Sequence, residues 1–377
     1  MTAAAFREIT TSLRFPEGPV ALPDGSVLVA EMARGTLTRV GADGAQTIVA
    51  HLGGGPNGAA IGPDGKCYVC NNGGVRWRED EHGLRPAGQA PDYQGGRIDR
   101  VDLATGAVDT LYDACDGRKL CGPNDLVFDA QGGFWFSDAG KTRDRASDRG
   151  SVYYAAADGS MIREAIFPMF VPNGVGLSAD GRRLYVAETH TARLWAFDLA
   201  GPGEIAPKPW PSPHGGELVV GLPGYVFMDS LALDEAGHIC VATQMEGGIS
   251  VISPRGEEIE RIPLPDLYAS NICFGGDGRR TAFVTLSSTG KLISLPWPRP
   301  GLALSFNWAE PPAPAASSIR TTRGARVSAT FRSRIFLERK ACPARSDASK
   351  RMSPSSALER PASWRPSRRR MPAHPSW

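Results

Sequence analysis

Residues 120–140 read LCGPNDLVFDAQGGFWFSDAG, a pattern that recurs along the chain. A polar pair, Asn124-Asp125, precedes an apolar run, a glycine-containing turn and a second apolar run that ends at Asp138. Two β-rich runs joined by turn residues are typical of a β-hairpin. The polar pair stands just before the first strand, where a loop can present it to a ligand.

The hairpin pattern occurs six times, each time with a polar start, two apolar strands and a glycine in the turn. The copies begin at Gly18, Gly58, Asp125, Gly174, Ser230 and Asn271, and their turn glycines are Gly25, Gly65, Gly132, Gly181, Gly237 and Gly278. Weaker strand-like runs between the copies, such as residues 96–102 and 193–198, supply outer strands, and a strand at residues 291–295 completes the set. A period of roughly 40–50 residues with two strong strands per repeat indicates propeller blades.

The sequence therefore predicts an all-β fold, a six-bladed β-propeller over residues 1–308. A β-sandwich, or a pair of them, is the alternative that short strands and turns leave open.

Composition and charge limit the function classes. The 377 residues are 41% hydrophobic and 22% charged, as in soluble globular proteins. The N-terminus lacks the apolar region of a signal peptide, and no apolar run reaches the roughly 18 residues of a membrane span. Seven irregularly spaced cysteines argue against a disulfide framework. We therefore expect a cytoplasmic protein with no membrane partner.

The net charge of +2 hides two unlike parts. Residues 311–377 hold 15 Lys and Arg against 3 Asp and Glu, which leaves 27 basic against 37 acidic residues in the rest. The body is acidic, so its charge does not favour nucleic-acid binding, and we expect no nucleic-acid partner.

The C-terminal part, residues 309–377, is rich in Arg, Ser, Pro and Ala and shows no strand period. Such a composition predicts a disordered basic tail. A basic arm for nucleic acid or membrane and a shifted reading frame past Trp308 are two further explanations, and the sequence leaves them open.

An insertion at residues 73–95 is rich in charge and glycine. We expect Arg76, Trp77, Arg78 and Asp80 to form a loop over one face. The sequence leaves two interpretations of this insertion open, a solvated insertion and a substrate lid.

Each blade offers a carboxylate or an amide just before its innermost strand. In a propeller these positions crowd around one end of the central channel, and oxygen donors suit a hard divalent cation such as calcium, magnesium or manganese, with zinc possible. Turn capping before strands is the alternative for any single residue, but six equivalent positions favour a shared site. The residues are Glu17, Asn57, Asn124, Asp125, Asn173, Asp229 and Asn271.

With these pieces together, the chain resembles the SMP-30/gluconolactonase/LRE-like family of six-bladed propeller lactonases over about residues 10–298. The matching pieces begin at Pro16 (PEGPVALPDGSVLVAE), Gly122 (GPNDLVFDAQGGFWFSD), Pro172 (PNGVGLSADGRRLYVAET), Met228 (MDSLALDEAGHICVAT) and Asn271 (NICFGGDGRRTAFVT).

The resemblance implies metal ligands at Glu17, Asn173 and Asp229, and a substrate-binding amide at Asn124 with Asp125 beside it. Sugar-lactone members often carry an arginine two positions before that asparagine, where this chain has Gly122.

The function implied is a metal-dependent lactonase that hydrolyses a sugar-acid (aldono)lactone, a small-molecule substrate, to the open-chain acid. One divalent cation (Ca, Zn, Mg or Mn) can polarise the lactone carbonyl and activate water, with Asp229 as general base. No GxSxG motif argues for a covalent nucleophile. The alternatives are a metal-dependent esterase or organophosphate hydrolase, and a metal-binding scaffold propeller without turnover.

Overall fold

The computed structural model describes residues 5–307, which form β-strands and one short 3₁₀ turn at Asp277–Arg279. None of the helical structure in this range is long and apolar enough to cross a membrane. The predicted tail lies outside the described residues. The strands are β1 (Arg7–Thr10), β2 (Pro16–Ala21), β3 (Val27–Glu31), β4 (Thr36–Val40), β5 (Gln46–His51), β6 (Pro56–Ile61), β7 (Cys67–Asn71), β8 (Val75–Asp80), β9 (Gly83–Gln89), β10 (Arg97–Val101), β11 (Val108–Tyr112), β12 (Ala114–Cys115), β13 (Arg118–Lys119), β14 (Pro123–Phe128), β15 (Gly133–Asp138), β16 (Gly150–Ala156), β17 (Ile162–Met169), β18 (Pro172–Leu177), β19 (Arg183–Glu188), β20 (Arg193–Gly201), β21 (Glu204–Ile205), β22 (Glu217–Gly221), β23 (Phe227–Leu233), β24 (Ile239–Gln244), β25 (Gly248–Ile252), β26 (Glu258–Pro263), β27 (Ala269–Gly275), β28 (Thr281–Leu286) and β29 (Lys291–Pro296).

Six antiparallel sheets form the blades of a β-propeller. Their strand orders from the centre outward are β2-β3-β4-β5, β6-β7-β10-β11, β14-β15-β16-β17, β18-β19-β20-β22, β23-β24-β25-β26 and β27-β28-β29-β1. In the fourth sheet the short strand β21 also pairs with β20. Each predicted hairpin is the inner pair of one blade. The inner strands contact one another in a closed ring, in which β27 of blade six meets β2 of blade one. The prediction of a six-bladed propeller is confirmed.

Blade six takes its outer strand from the N-terminal end of the chain. Arg7 pairs with Ser294 and Glu8 with Ile293, so that β1 lies against β29. The Lys291 ammonium also lies 2.7 Å from the Glu8 carboxylate. The sequence analysis took the repeat set to be complete without this strand. The pairing joins the two ends of the propeller and covers the edge of blade six.

The hydrophobic core lies between neighbouring blades, because alternate residues of each strand face opposite sides of its sheet. On β15, Phe134 and Phe136 pack into a cluster with blade two, whereas Trp135 between them packs into a cluster with blade four. All three rings are fully buried. The cysteines among residues 5–307 are free thiols, as expected without a disulfide framework.

The insertion between β7 and β10 is a β-hairpin, so the prediction of a loop was wrong. Strands β8 and β9 pair with each other and not with blade two. The Trp77 ring packs 4.9 Å from the Phe15 ring of blade one, and the Leu84 amide donates to the Ser288 carbonyl of blade six at 3.0 Å. The hairpin therefore reaches from blade two to blades one and six.

Residues 301–307 lie against the ends of the inner strands that carry the turn glycines, and we call them the plug. The Leu302 amide donates to the Leu233 carbonyl at 2.8 Å. The Phe306 ring lies 5.8 Å from that of Phe128, and Asn307 Nδ2 donates to the Ala21 carbonyl at 3.1 Å. These contacts with blades five, three and one join inner strands across the channel.

The plug sets where the chain can be shortened. Truncation after Asn307 should leave a folded propeller, since residues 309–377 show no strand period. Truncation after Pro300 should lower the free energy of unfolding by about 3 kcal/mol or more, because it removes the partly buried side chains of Leu302 and Phe306 and the buried side chain of Asn307. Urea unfolding of both truncated proteins and the full chain measures this. Equal stability of the two truncated proteins would show that the plug contributes nothing.

Candidate active site

Two segments of every blade lie at the same end of the propeller. In each antiparallel blade the inner strand starts where the second strand ends. The segment that enters the inner strand and the turn between the second and third strands therefore share one face. We call it the site face. The inner strands begin there at Pro16, Pro56, Pro123, Pro172, Phe227 and Ala269. All residues proposed from the sequence lie at these starts.

Glycines allow the inner strands to approach one another closely at the site face. A Cβ atom on Gly18 would lie 2.3 Å from the Asn57 carbonyl oxygen, and one on Gly58 would lie 2.5 Å from Asp125 Oδ1. A Cβ on Gly174 would lie 2.8 Å from the Asp229 carbonyl oxygen. Since no side chain fits in these spaces, the polar residues beside the glycines are held close to those of the next blade.

Irregular backbone aims the side chains at these starts. Each inner hairpin shifts register at the site residue, as between Glu17 and Val20 in blade one. The same shift occurs in the other blades, at Pro56/Ala59, Pro123/Leu126, Pro172/Val175, Met228/Leu231 and Ala269/Asn271. Such bulges re-aim side chains and are common next to active sites.

The backbone is left-handed just before two of the candidate ligands. Phe15, two positions before Glu17, has φ of 55°, and Val171, two positions before Asn173, has φ of 52°. A β-branched residue rarely adopts this conformation. Strained backbone of this kind clusters at functional sites, where the surrounding structure holds it in place.

The structure buries the predicted residues. Glu17, Asp229, Asn173 and Asp125 are 3%, 4%, 6% and 7% exposed, respectively. Asn124, the proposed substrate-binding amide, is half-buried. These side chains are withdrawn from bulk water, so their electrostatic interactions are stronger than on an open surface.

Hydrogen bonds link the site residues of different blades. Ser230 Oγ donates to Asn173 Oδ1 at 3.3 Å, and Asn271 Nδ2 donates to Glu17 Oε2 at 3.5 Å. Gln244 Nε2 donates to Asp229 Oδ2. The sequence analysis missed Gln244. Its position at the end of β24, paired with Phe227 at the start of β23, was the available signal.

The site carboxylates repel one another. Burial raises the pKa of Glu17 well above its ordinary value, and the negative charge of Asp229 raises it further. Burial likewise raises the pKa of Asp229, and the charge of Asp125 adds to it. Burial raises the pKa of Asp125 to about 7. An acidic site of this kind is favourable for a cation, whose charge would offset the repulsion.

The donor set fits a divalent cation that prefers oxygen ligands. Within residues 5–307, no three His, Cys, Asp or Glu side chains are arranged to hold an ion by themselves, so asparagine oxygens would have to complete the set. Two such oxygens, Asn57 Oδ1 and Asn124 Oδ1, are buried and have no hydrogen-bond partner in the described part of the chain. Buried acceptors of this kind are costly unless a ligand or water satisfies them.

Gly122 has no room for a side chain. A Cβ atom there would lie 2.5 Å from the Gly140 carbonyl oxygen. The entry segment of blade three therefore presents Asn124 and Asp125 without a cationic side chain at position 122.

Comparison with known proteins identifies relatives of this chain. The profile of the SMP-30/Gluconolactonase/LRE-like region matches residues 15–288. Diisopropyl-fluorophosphatase of Loligo vulgaris is 30% identical over 58% of this chain and 74% of its own length. Lactonase drp35 of Staphylococcus saprophyticus is 29% identical over 70% and 74%. The gluconolactonase of Zymomonas mobilis is 28% identical over 62% and 61%.

The metal ligands predicted from the sequence can be tested without an activity assay. We expect Glu17→Gln, Asn173→Ala and Asp229→Ala each to weaken binding of calcium, zinc, magnesium or manganese by more than about tenfold, the lower end of what loss of an outer-shell partner costs. Calorimetric titration of each cation into each variant measures it. Asp129→Asn is the control, because Asp129 is a buried carboxylate at the opposite end of blade three. Unchanged affinity in all three variants would contradict the assignment.

Proposed function

Since this chain belongs to the SMP-30/gluconolactonase/LRE-like family, we propose that it is a metal-dependent lactonase that opens the lactone of a sugar acid. The lactonase and gluconolactonase relatives support the reaction class. The observation that carries the metal dependence is the buried set of carboxylate and amide oxygens, of which Asn57 Oδ1 and Asn124 Oδ1 have no hydrogen-bond partner among residues 5–307. A cytoplasmic location stays a prediction from the sequence.

In this proposal Glu17, Asn173 and Asp229 hold the cation. When bound, the cation polarises the lactone carbonyl and stabilises the negative charge that develops on its oxygen. Asn173 is kept in place by Ser230 and by Thr189, whose Oγ1 accepts from Asn173 Nδ2 at 3.1 Å. Glu17 is oriented by Asn271.

Asp229 accepts the proton of the attacking water. The amide of Gln244 donates to its Oδ2, which fixes the orientation of the carboxylate beside the cation and the water. A carboxylate within hydrogen-bond reach of the attacking water is a suitable general base. The proton then passes to the ring oxygen that leaves, and the product is the open-chain hydroxy acid.

Asn124 and Asp125 orient the substrate. The unpartnered Asn124 Oδ1 is an acceptor for a hydroxyl of the sugar-acid ring. Asp125 Oδ1 accepts from the Leu126 amide at 2.9 Å, which holds the carboxylate at the start of the inner strand. Buried acceptors of this kind select substrates that supply the matching donors.

A second candidate substrate class is supported by the similarity to the squid diisopropyl-fluorophosphatase. The same donors and cation could polarise a phosphoryl or ester bond. A propeller that binds metal without turnover is the non-enzymatic alternative.

Removal of the cation separates the enzyme from the scaffold. We expect EDTA to abolish lactone hydrolysis and an added divalent cation to restore it, because the buried carboxylates need that charge. A pH-indicator assay over aldonolactones, aryl esters and phosphotriesters measures the turnover. Faster turnover of phosphotriesters than of any lactone would favour the second candidate, and no turnover of any substrate at saturating metal would favour the scaffold.

The role of Asp229 can be separated from metal binding. Asp229→Asn keeps an oxygen ligand but removes most of the basicity, so kcat should fall by about 10²-fold, as is typical on loss of a general base. The measurement is kcat across a metal titration. Recovery of near wild-type kcat in excess metal would mean that Asp229 only holds the cation.

A further inference from the structure

Arg149 lies flat on an exposed aromatic ring at the site face. Its guanidinium carbon is 3.7 Å from the centroid of the Phe170 ring, and 48% of Phe170 is exposed. Arg149 ends the segment between β15 and β16, and Phe170 precedes β18, so both lie on the site face. A guanidinium stacked in this way keeps the N–H groups at its edge free to bind a ligand.

Arg149 has no ion-pair partner among residues 5–307. The adjacent carboxylate, Asp148, is occupied by Arg143, which donates to it at 2.7 and 3.0 Å. Lys141, in the same segment, is buried and donates to the Gly74 carbonyl at 3.0 Å. Arg143 and Lys141 thus bind other groups of the fold, whereas Arg149 is exposed and, within the described residues, its guanidinium contacts the Phe170 ring without an ion pair.

Gly150, the residue after Arg149, packs against Pro172, the residue before a candidate metal ligand. A Cβ atom on Gly150 would lie 2.2 Å from Pro172 Cδ, and Asn173 is the next residue. Ser137 Oγ of the same blade donates to the Asn173 carbonyl at 2.5 Å. Arg149 therefore stands at the junction of blades three and four, which carry Asn124 and Asn173.

The charge of Arg149 complements the substrate. Glu17, Asp125 and Asp229 make the centre of the site acidic, where the cation and the lactone carbonyl would lie. A guanidinium at the edge can bind the oxygen substituents of the lactone ring by paired N–H donors. Because the Phe170 ring already fixes the guanidinium, little side-chain freedom is lost on binding.

We propose that Arg149, stacked on Phe170, is a specificity-determining residue that binds the hydroxyl oxygens of the substrate lactone and of the product acid. This inference rests on the proposed lactonase function.

The test compares two lactones that differ only in their hydroxyl groups. For Arg149→Ala, kcat/KM for an aldono-δ-lactone should fall about tenfold or more, mainly through a higher KM, since charged hydrogen bonds are lost. Turnover of δ-valerolactone, the same ring without hydroxyls, should stay within about twofold. For Arg149→Lys, kcat/KM for the aldono-δ-lactone should lie between the values of the wild type and of Arg149→Ala, because lysine keeps the charge but loses the planar donor pair. Phe170→Leu should lower the ratio of kcat/KM for the aldono-δ-lactone to kcat/KM for δ-valerolactone by less than Arg149→Ala does.

Arg145→Ala is the matched control. Arg145 is an exposed arginine in the same segment, and its removal should leave both lactones unaffected. Equal losses on both lactones in Arg149→Ala would show a merely structural role and overturn the inference. No loss on either lactone would overturn it as well.

Product binding gives a second, activity-free measurement. With the cation present, aldonate should bind about tenfold more weakly to Arg149→Ala than to the unsubstituted protein in calorimetry. If the wild-type protein were inert towards both lactones, the proposed function would be wrong. The aldonate titration would still test whether Arg149 contributes to ligand binding. Equal aldonate affinity, or no aldonate binding by either protein, would overturn the inference.

Discussion

The close approach of the six inner strands is the constraint on which the site depends. At Gly58 and Gly174 the backbone of one blade lies against the next, with no space for a Cβ atom. The residues just before these glycines are the polar residues Asn57 and Asn173. The contacts that close the ring of blades therefore also bury the polar side chains. A larger residue at either glycine would move the strands apart and carry the neighbouring asparagine away from the channel.

This arrangement works against the stability of the empty site. Glu17, Asp125 and Asp229 are withdrawn from water and repel one another, which raises their pKa values. Buried like charges persist only when the rest of the fold stabilises the chain enough to hold them. The fully buried rings between the blades, Trp135 among them, supply that stabilisation. A conflict between local electrostatics and global packing is expected where a ligand completes the structure.

The repeat could be predicted from sequence because it is local. Each inner hairpin is specified by alternating apolar residues and a turn glycine within some fifteen positions, and Glu17, Asn173 and Asp229 occupy the same place in that unit. The features that were missed depend on contacts between distant segments. The closing strand β1 has an exposed and half-exposed pattern that shows little alternation. The hairpin of β8 and β9 carries exposed charges that look like a loop until Trp77 meets Phe15.

The two sides of the site face differ, and under the proposed function this difference orients the substrate. The inserted hairpin covers the side of blades one and six, where Leu84 bonds to Ser288 and Trp77 packs on Phe15. Arg149 stands exposed on the side of blades three and four. Under the proposed function, a lactone whose carbonyl lies at the acidic centre would then direct its hydroxyl groups towards Arg149, because the inserted hairpin covers the opposite side. Under the proposed function, the hairpin and the stacked arginine act together: one limits where the ring can lie, and the other binds the oxygens that the ring exposes.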